Sequence, residues 1–211
     1  MSTELLVDTP HGEGRLVTAR AHSPVATLLL GHGAGNGIEA RDLEALAHYL
    51  PRNGVSVVRF EQPWRRAGRK IATPPATLDA ALLAAAGRLR VRTPLIVGGR
   101  SAGARSAARC AGRLGARGCL ALSFPLHPPG RPEKSRLDEL NGAEVPLLVV
   151  QGERDPMGRP EEFPGGLDMS VVPGADHGFR VPASGPVSQD EAMDIVVEST
   201  LEWIVREIVG E

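Results

Sequence analysis

The sequence predicts an α/β fold: a mostly parallel central sheet with helices on both faces and no cap domain. Three observations carry that expectation. Short apolar runs alternate with helical patterns along most of the chain. Gly99-Arg100-Ser101-Ala102-Gly103 stands where one such run gives way to a helical pattern, the strand-turn-helix setting of a nucleophile elbow. An aspartate in Gly152-Glu153-Arg154-Asp155-Pro156 and a histidine in Ala175-Asp176-His177-Gly178-Phe179 then follow in order, each after a further apolar run.

The elements follow from local patterning. Residues 5–7 and 15–19 flank His11-Gly12-Glu13-Gly14 and read as an antiparallel hairpin of edge strands. Strands are expected at 27–30, 55–60, 95–97, 120–123, 147–150 and 169–172. Leu43, Leu46, Ala47 and Leu50 recur at i, i+3, i+4, i+7, a one-striped helix that should stop at Pro51. A second helix, with Thr77 as N-cap, places Leu78, Leu82, Ala85 and Leu89 on one face. Behind the elbow, Ala104, Ala107, Ala108 and Ala111 would let a helix approach the sheet closely. The last helix, 189–209, repeats the pattern with Met193, Val196, Thr200, Leu201, Ile204 and Ile208. Between the sixth and seventh strands, 124–145 is too short for a cap, so the site should be a shallow, open cleft suited to short or polar substrates.

Bulk properties narrow the function classes. With 211 residues, 42% of them apolar, the chain suits one domain, 1–211. Its 24 basic and 25 acidic residues are interspersed and aromatics are only 3%, which argues against a nucleic-acid or anionic-membrane partner. Residues 1–10 lack a basic region followed by an apolar core, and no apolar run approaches membrane-spanning length. The expected location is cytoplasmic. Cys110 and Cys119 match no metal or redox spacing and read as small, unpaired core residues.

The chemistry concentrates in a few residues. A serine hydroxyl is a poor nucleophile at neutral pH and needs a base, itself oriented by a third group. Ser101, His177 and Asp155 suit those roles; Asp176, adjacent in sequence to His177, is poorly placed to reach the same ring. His11, His22 and His48 fall in a turn, a loop and a helix and suit surface roles, while His127 precedes the acid and reads as a pocket residue or a structural one. Gly31-His32-Gly33-Ala34-Gly35 joins a central strand to the first helix. From there the Ala34 amide, with Gly33 the alternative, would supply one oxyanion-hole donor and Ala102 the second, Gly33 and Gly35 shaping the loop. Trp64-Arg65-Arg66-Ala67-Gly68-Arg69-Lys70 should overhang the cleft, with Trp64 and Arg65 as candidate substrate contacts; the alternative is a solvated loop. Dinucleotide binding fails on spacing, because Asn36 or Ile38 stands where G-x-G-x-x-G needs its third glycine. No phosphate loop, H-E-x-x-H or thiol pair occurs, so neither cofactor nor metal is expected.

Together with Pro125-Leu126-His127-Pro128-Pro129-Gly130 and Gln151-Gly152-Glu153-Arg154-Asp155-Pro156, these motifs resemble the KANL/Tex-like branch of the α/β-hydrolase superfamily, close to the dienelactone hydrolases. The resemblance runs from about Thr27 to the C-terminus. It implies a lidless hydrolase acting on a small ester or related acyl bond through Ser101, Asp155 and His177. Relatives often carry methionine and glycine where this chain has Ala102 and Ala104, and an aromatic where it has Gln62. Some members of the branch are scaffold subunits, so a catalytically silent interaction scaffold is the alternative reading. Oligomeric state is left open.

Overall fold

The structure, a computed structural model, describes residues 2–210; Met1 and Glu211, the ends of the domain read from the sequence, lie outside them. One eight-stranded sheet runs in the order β1-β2-β4-β3-β5-β6-β7-β8. β1 (Ser2–Thr9) and β2 (Gly12–Ala19) form the antiparallel hairpin. β3 (Ala26–Gly31), β4 (Val55–Glu61), β5 (Leu95–Arg100), β6 (Gly118–Leu122), β7 (Leu147–Gly152) and β8 (Asp168–Val172) run parallel. Only β1 is an edge strand of the hairpin. β2 pairs with β4 on its other side, and buried Leu16 and Val17 mark it as interior.

β3 shows why the sheet is covered twice. Its six residues are all buried, as a strand under helices on both faces requires. Successive side chains point to opposite faces, so Leu28 and Leu30 enter one core cluster and Leu29 the other. The first cluster receives Leu43, Leu46 and Leu50 from α1 (Arg41–Tyr49) and the 3-10 turn after it. Pro51 does not end the helix bluntly; it sits in the first turn of that 3-10 segment, Leu50–Asn53, where a missing N–H costs nothing. α2 (Pro63–Arg66) is a single turn within the basic run that the sequence reads as loop, started by Pro63 at N1.

α3 (Pro75–Ala86) begins two residues before the expected Thr77 cap, because Pro75 presets the first helical turn and Pro74 is the cap residue. Leu78, Leu82 and Ala85 are buried, while Leu89 lies beyond the helix end. α4 (Ala102–Cys110) and the residue after it bury Ala104, Ala107, Ala108 and Ala111 completely. Between β6 and β7 the chain forms only loops and α5 (Leu137–Asn141), with no cap domain. α6 (Gln189–Ile204) starts on a capping box of Ser188 and Glu191 and continues as a wider π-turn, Val205–Val209, that buries Ile208.

Cys110 and Cys119 are free and buried. Burial pushes their thiols up to about 11 and about 12, so neither supplies thiolate near neutral pH. No helix among the described residues is long and apolar enough to cross a membrane. The chain leaves β3 toward β4 on one side and returns to β5 on the other. That reversal opens a crevice at the carboxyl ends of β3 and β5, where open parallel sheets bind ligands.

Candidate active site

Ser101 follows β5 at φ 52 and ψ −112, a backbone state that costs a non-glycine residue roughly 1–3 kcal/mol. Neighbouring backbone holds it there. A Cβ on Gly99 would lie 2.5 Å from the Gly31 carbonyl oxygen and 2.7 Å from the Gly103 carbonyl carbon, and one on Gly103 would run into Gly31 and, at 2.9 Å, the His32 carbonyl oxygen. Main chain cannot step aside as a side chain can. Gly103→Ala is therefore expected to lose about 1–3 kcal/mol of stability, the usual cost of overpacking, in a denaturant titration. Gly35→Ala is the silent comparison, since a Cβ there meets nothing within 4 Å. Of the two glycines read as shaping the loop after β3, only Gly33 is closely packed: its added Cβ would make a tight contact, 3.3 Å from the Ser101 Cβ.

β7 and β8 deliver two partners to the same place. His177 Nε2 lies 2.9 Å from Ser101 Oγ, and its Nδ1 lies 2.7 Å from Asp155 Oδ2. Asp155 is fully buried; its Oδ2 also accepts from Gln151 Nε2 at 2.9 Å and its Oδ1 from the Met157 amide at 2.8 Å. An acceptor-only carboxylate facing Nδ1 assigns the proton to that nitrogen. Nε2 then accepts from the Ser101 hydroxyl. Asp176 takes no part in this relay, because its Oδ1 accepts the Gly178 and Arg180 amides of its own turn at 2.6 and 2.9 Å.

Gln151 is a site residue that the sequence reading passed over. Its buried Oε1 accepts from the Phe124 amide at 2.9 Å, which fixes the flip of the amide and aims Nε2 at Asp155. The sequence signal was a polar residue ending an otherwise apolar strand. Arg100 and Asp42, also buried and 3.0 Å apart, were equally unread.

The turn after β3 is braced by His32. Its Nδ1 donates to the Gly33 carbonyl at 2.7 Å and its Nε2 accepts from the Gln62 amide at 3.0 Å. Burial, outweighing the upward pull of the Gly33 carbonyl, pushes His32 below the ordinary histidine value, which keeps the ring neutral and Nε2 an acceptor. The unfolded chain then binds the extra proton first, so this residue's contribution to stability is complete above about pH 6.5 and declines as pH falls below it. Thermal melts from pH 7.5 to 5 should show a shallower acid loss in His32→Gln than in the parent; parallel curves would contradict the brace. Ala34 is exposed and Ala102 half-buried, and among the described residues neither amide donates a turn or loop backbone hydrogen bond.

The remaining candidates are placed differently from expectation. His127 does not open onto a cleft. It is 5% exposed, with Nδ1 on the Pro128 carbonyl at 2.9 Å and Nε2 on Glu162 at 2.8 Å, bonds that raise its pKa, the Pro128 carbonyl foremost. Both ring nitrogens are occupied, Nδ1 within its own loop and Nε2 in tying that loop to the segment after β7. Trp64 is also buried, at 3% exposure, because α2 turns it inward against the His32 ring, 5.5 Å between centroids. Arg65 reaches toward Gly37 and Arg66 pairs with Glu13 at 2.7 Å. A cavity of 790 Å³ opens beside them, between the β1–β2 turn, α2 and α3, with Arg69 on its wall. Gln62 Oε1, Trp64 Nε1 and Thr73 Oγ1, all from lining residues, have no hydrogen-bond partner among the described residues.

Comparison with known proteins agrees with this architecture. Residues 24–205 match the alpha/beta hydrolase domain family. Among solved structures, an α/β serine hydrolase without lid from Xanthomonas campestris superposes with a TM-score of 0.72 at 19% identity, over 96% of this chain and 94% of that one. A serine hydrolase homologue from Coxiella burnetii gives 0.73 at 17% identity, over 93% and 96%. A dienelactone hydrolase from Anabaena variabilis gives 0.72 at 15% identity, over 97% and 96%. At these identities the likeness is one of fold. With the family match spanning most of its length, the chain belongs to the α/β hydrolase domain family.

Proposed function

We propose that the protein is a serine hydrolase that cleaves an ester or related acyl bond of a small substrate through an acyl-Ser101 intermediate. The observation that carries this reading is the continuous relay from Ser101 Oγ through His177 to buried Asp155, at 2.9 and 2.7 Å. Ser101 Oγ attacks the acyl carbon while His177 Nε2 takes the hydroxyl proton; Asp155 holds the ring in the required tautomer and steadies the imidazolium. The carbonyl oxygen gains negative charge, for which the Ala34 and Ala102 amides are the donors. Each such donor is worth roughly 3 kcal/mol in the transition state of well-studied enzymes. Collapse expels the alcohol, protonated by His177, and a water activated by the same base then releases the acid and restores Ser101. The lidless serine hydrolase and the dienelactone hydrolase among its structural neighbours are consistent with the reading.

The basic run after β4 is the part of the chain assigned to an anionic substrate group; the cavity it lines beside α2 contains none of Ser101, Asp155 and His177. Its wall carries Arg69, which forms no ion pair among the described residues, beside the Arg66–Glu13 pair. Arg66 is less available, being paired with Glu13. Trp64 acts here as wall rather than as an exposed platform, and Arg65 points away toward Gly37 and does not line the cavity. An anionic ester should therefore show a higher kcat/KM than its neutral isostere at low salt. The preference should shrink as salt rises, because charges are screened beyond roughly 8 Å at physiological ionic strength. Arg69→Glu should reduce or reverse it without changing kcat for the neutral ester. Equal discrimination by parent and variant would contradict the substrate assignment and leave the hydrolase reading intact. Hydrolysis itself is tested with a short panel of activated acyl esters; a folded protein that turns over none of them would instead favour an interaction scaffold on the same fold.

A further inference from the structure

The relay is held by its backbone as well as by its ring. Arg100, the last residue of β5 and the neighbour of Ser101, donates from Nη2 to the His177 carbonyl oxygen at 2.7 Å and from Nη1 to Asp42 Oδ1 at 3.0 Å. Its side chain is 8% exposed and that of Asp42, in the first turn of α1, is fully buried. One guanidinium thus joins three segments: the strand carrying the nucleophile, the first helix and the loop carrying the base.

We infer that Arg100, seated on Asp42, is a positioning residue for the Ser101 reaction, tying the His177 main chain to β5 and so setting the distance from Nε2 to Oγ. The inference rests on the acyl-transfer reading above. Stability alone does not account for the pair, because a buried ion pair is often no better than well-packed apolar side chains of similar volume. Nor are its polar groups fully used: Asp42 Oδ2 has no hydrogen-bond partner among the described residues. Direction is what the arrangement provides. A planar guanidinium offers a carboxylate and a carbonyl donors at fixed angles, which a lysine ammonium does not. The loop it grips is a tight turn, with Phe179 at φ 51 and the Phe179 amide on the Asp176 carbonyl at 2.9 Å. Such a turn moves as a unit, so a hold at His177 O fixes the ring's approach to Ser101.

The test compares the parent with Arg100→Lys, Arg100→Ala and the double variant Arg100→Met with Asp42→Leu, which removes both charges and strands neither. The readouts are kcat and KM for a neutral ester, the rate of Ser101 labelling by a fluorophosphonate, and the melting temperature. A misplacement near 1 Å costs up to about 100-fold in rate. The folded double variant should therefore lose about 10- to 100-fold in kcat with KM nearly unchanged, and labelling should slow in step. Arg100→Lys should recover little, and Arg100→Ala should regain rate in millimolar guanidinium chloride, a rescue that a purely structural role would not produce. If the double variant does not fold, the guanidinium rescue of Arg100→Ala decides alone. Parent-like kcat and labelling in the folded double variant, or no rescue of Arg100→Ala, would overturn the inference. Absence of labelling and turnover in the parent would instead overturn the hydrolase reading beneath it.

Discussion

Ser101→Ala is expected to abolish hydrolysis of a small activated ester, with kcat falling by about 10⁴- to 10⁶-fold, the range seen when a triad nucleophile is removed. The fold should survive, and the strain at φ 52 remains in the variant because it is a property of the elbow backbone. Little packing is lost, since Ser101 is only half-buried and its Oγ is engaged by His177 rather than by the core. Circular dichroism and the melting temperature should match the parent while initial rates fall to background. Undiminished turnover would remove Ser101 from the chemistry.

Asp155→Asn is the second large effect, with an expected loss of about 10⁴-fold in kcat, because an amide in this place favours the wrong imidazole tautomer. The local geometry sharpens the expectation. Oδ2 accepts from both His177 Nδ1 and Gln151 Nε2, and Oδ1 accepts from the Met157 amide, so either flip of an asparagine turns its NH₂ toward a donor. Asp176→Asn keeps the Oδ1 acceptor on which the Gly178 and Arg180 amides depend and should leave kcat near the parent value. Steady-state kinetics on both variants check the ranking; the reverse order would transfer the acid's role to Asp176.

The sheet and the relay were legible in the sequence for a physical reason: each depends on patterns contained within a few residues. Apolar runs located every parallel strand to within about three residues at either end, and chain order picked Ser101, Asp155 and His177 from candidates that included five other histidines. What the sequence concealed are pairings between distant residues. Asp42 stands at the start of an amphipathic helix, where an acidic side chain ordinarily faces water near the helix N-terminus; it is buried because Arg100, 58 residues away, lies over it. Gln151 reads as the end of an apolar strand, and nothing local reveals that it grips both Phe124 and Asp155. Trp64 and His127 differ in the other direction, Trp64 lining a cavity from a buried position and His127 taking the structural role that its sequence context also allowed. An aromatic in a basic run and a histidine beside a cleft strand resemble substrate contacts, yet a single helical turn folds the first onto His32 and Glu162 engages the second. Composition and spacing report burial and order, while the direction of one buried side chain depends on the whole packed structure.

The central claim, that Ser101 is an activated nucleophile, is tested most directly by exposing the folded protein to a fluorophosphonate and mapping the adduct by peptide mass spectrometry. The account predicts one adduct per chain, on the peptide containing Ser101, absent from Ser101→Ala and much slower to form in His177→Ala and Asp155→Asn. A folded chain that takes no adduct, or one whose labelling persists unchanged in Ser101→Ala, would contradict it.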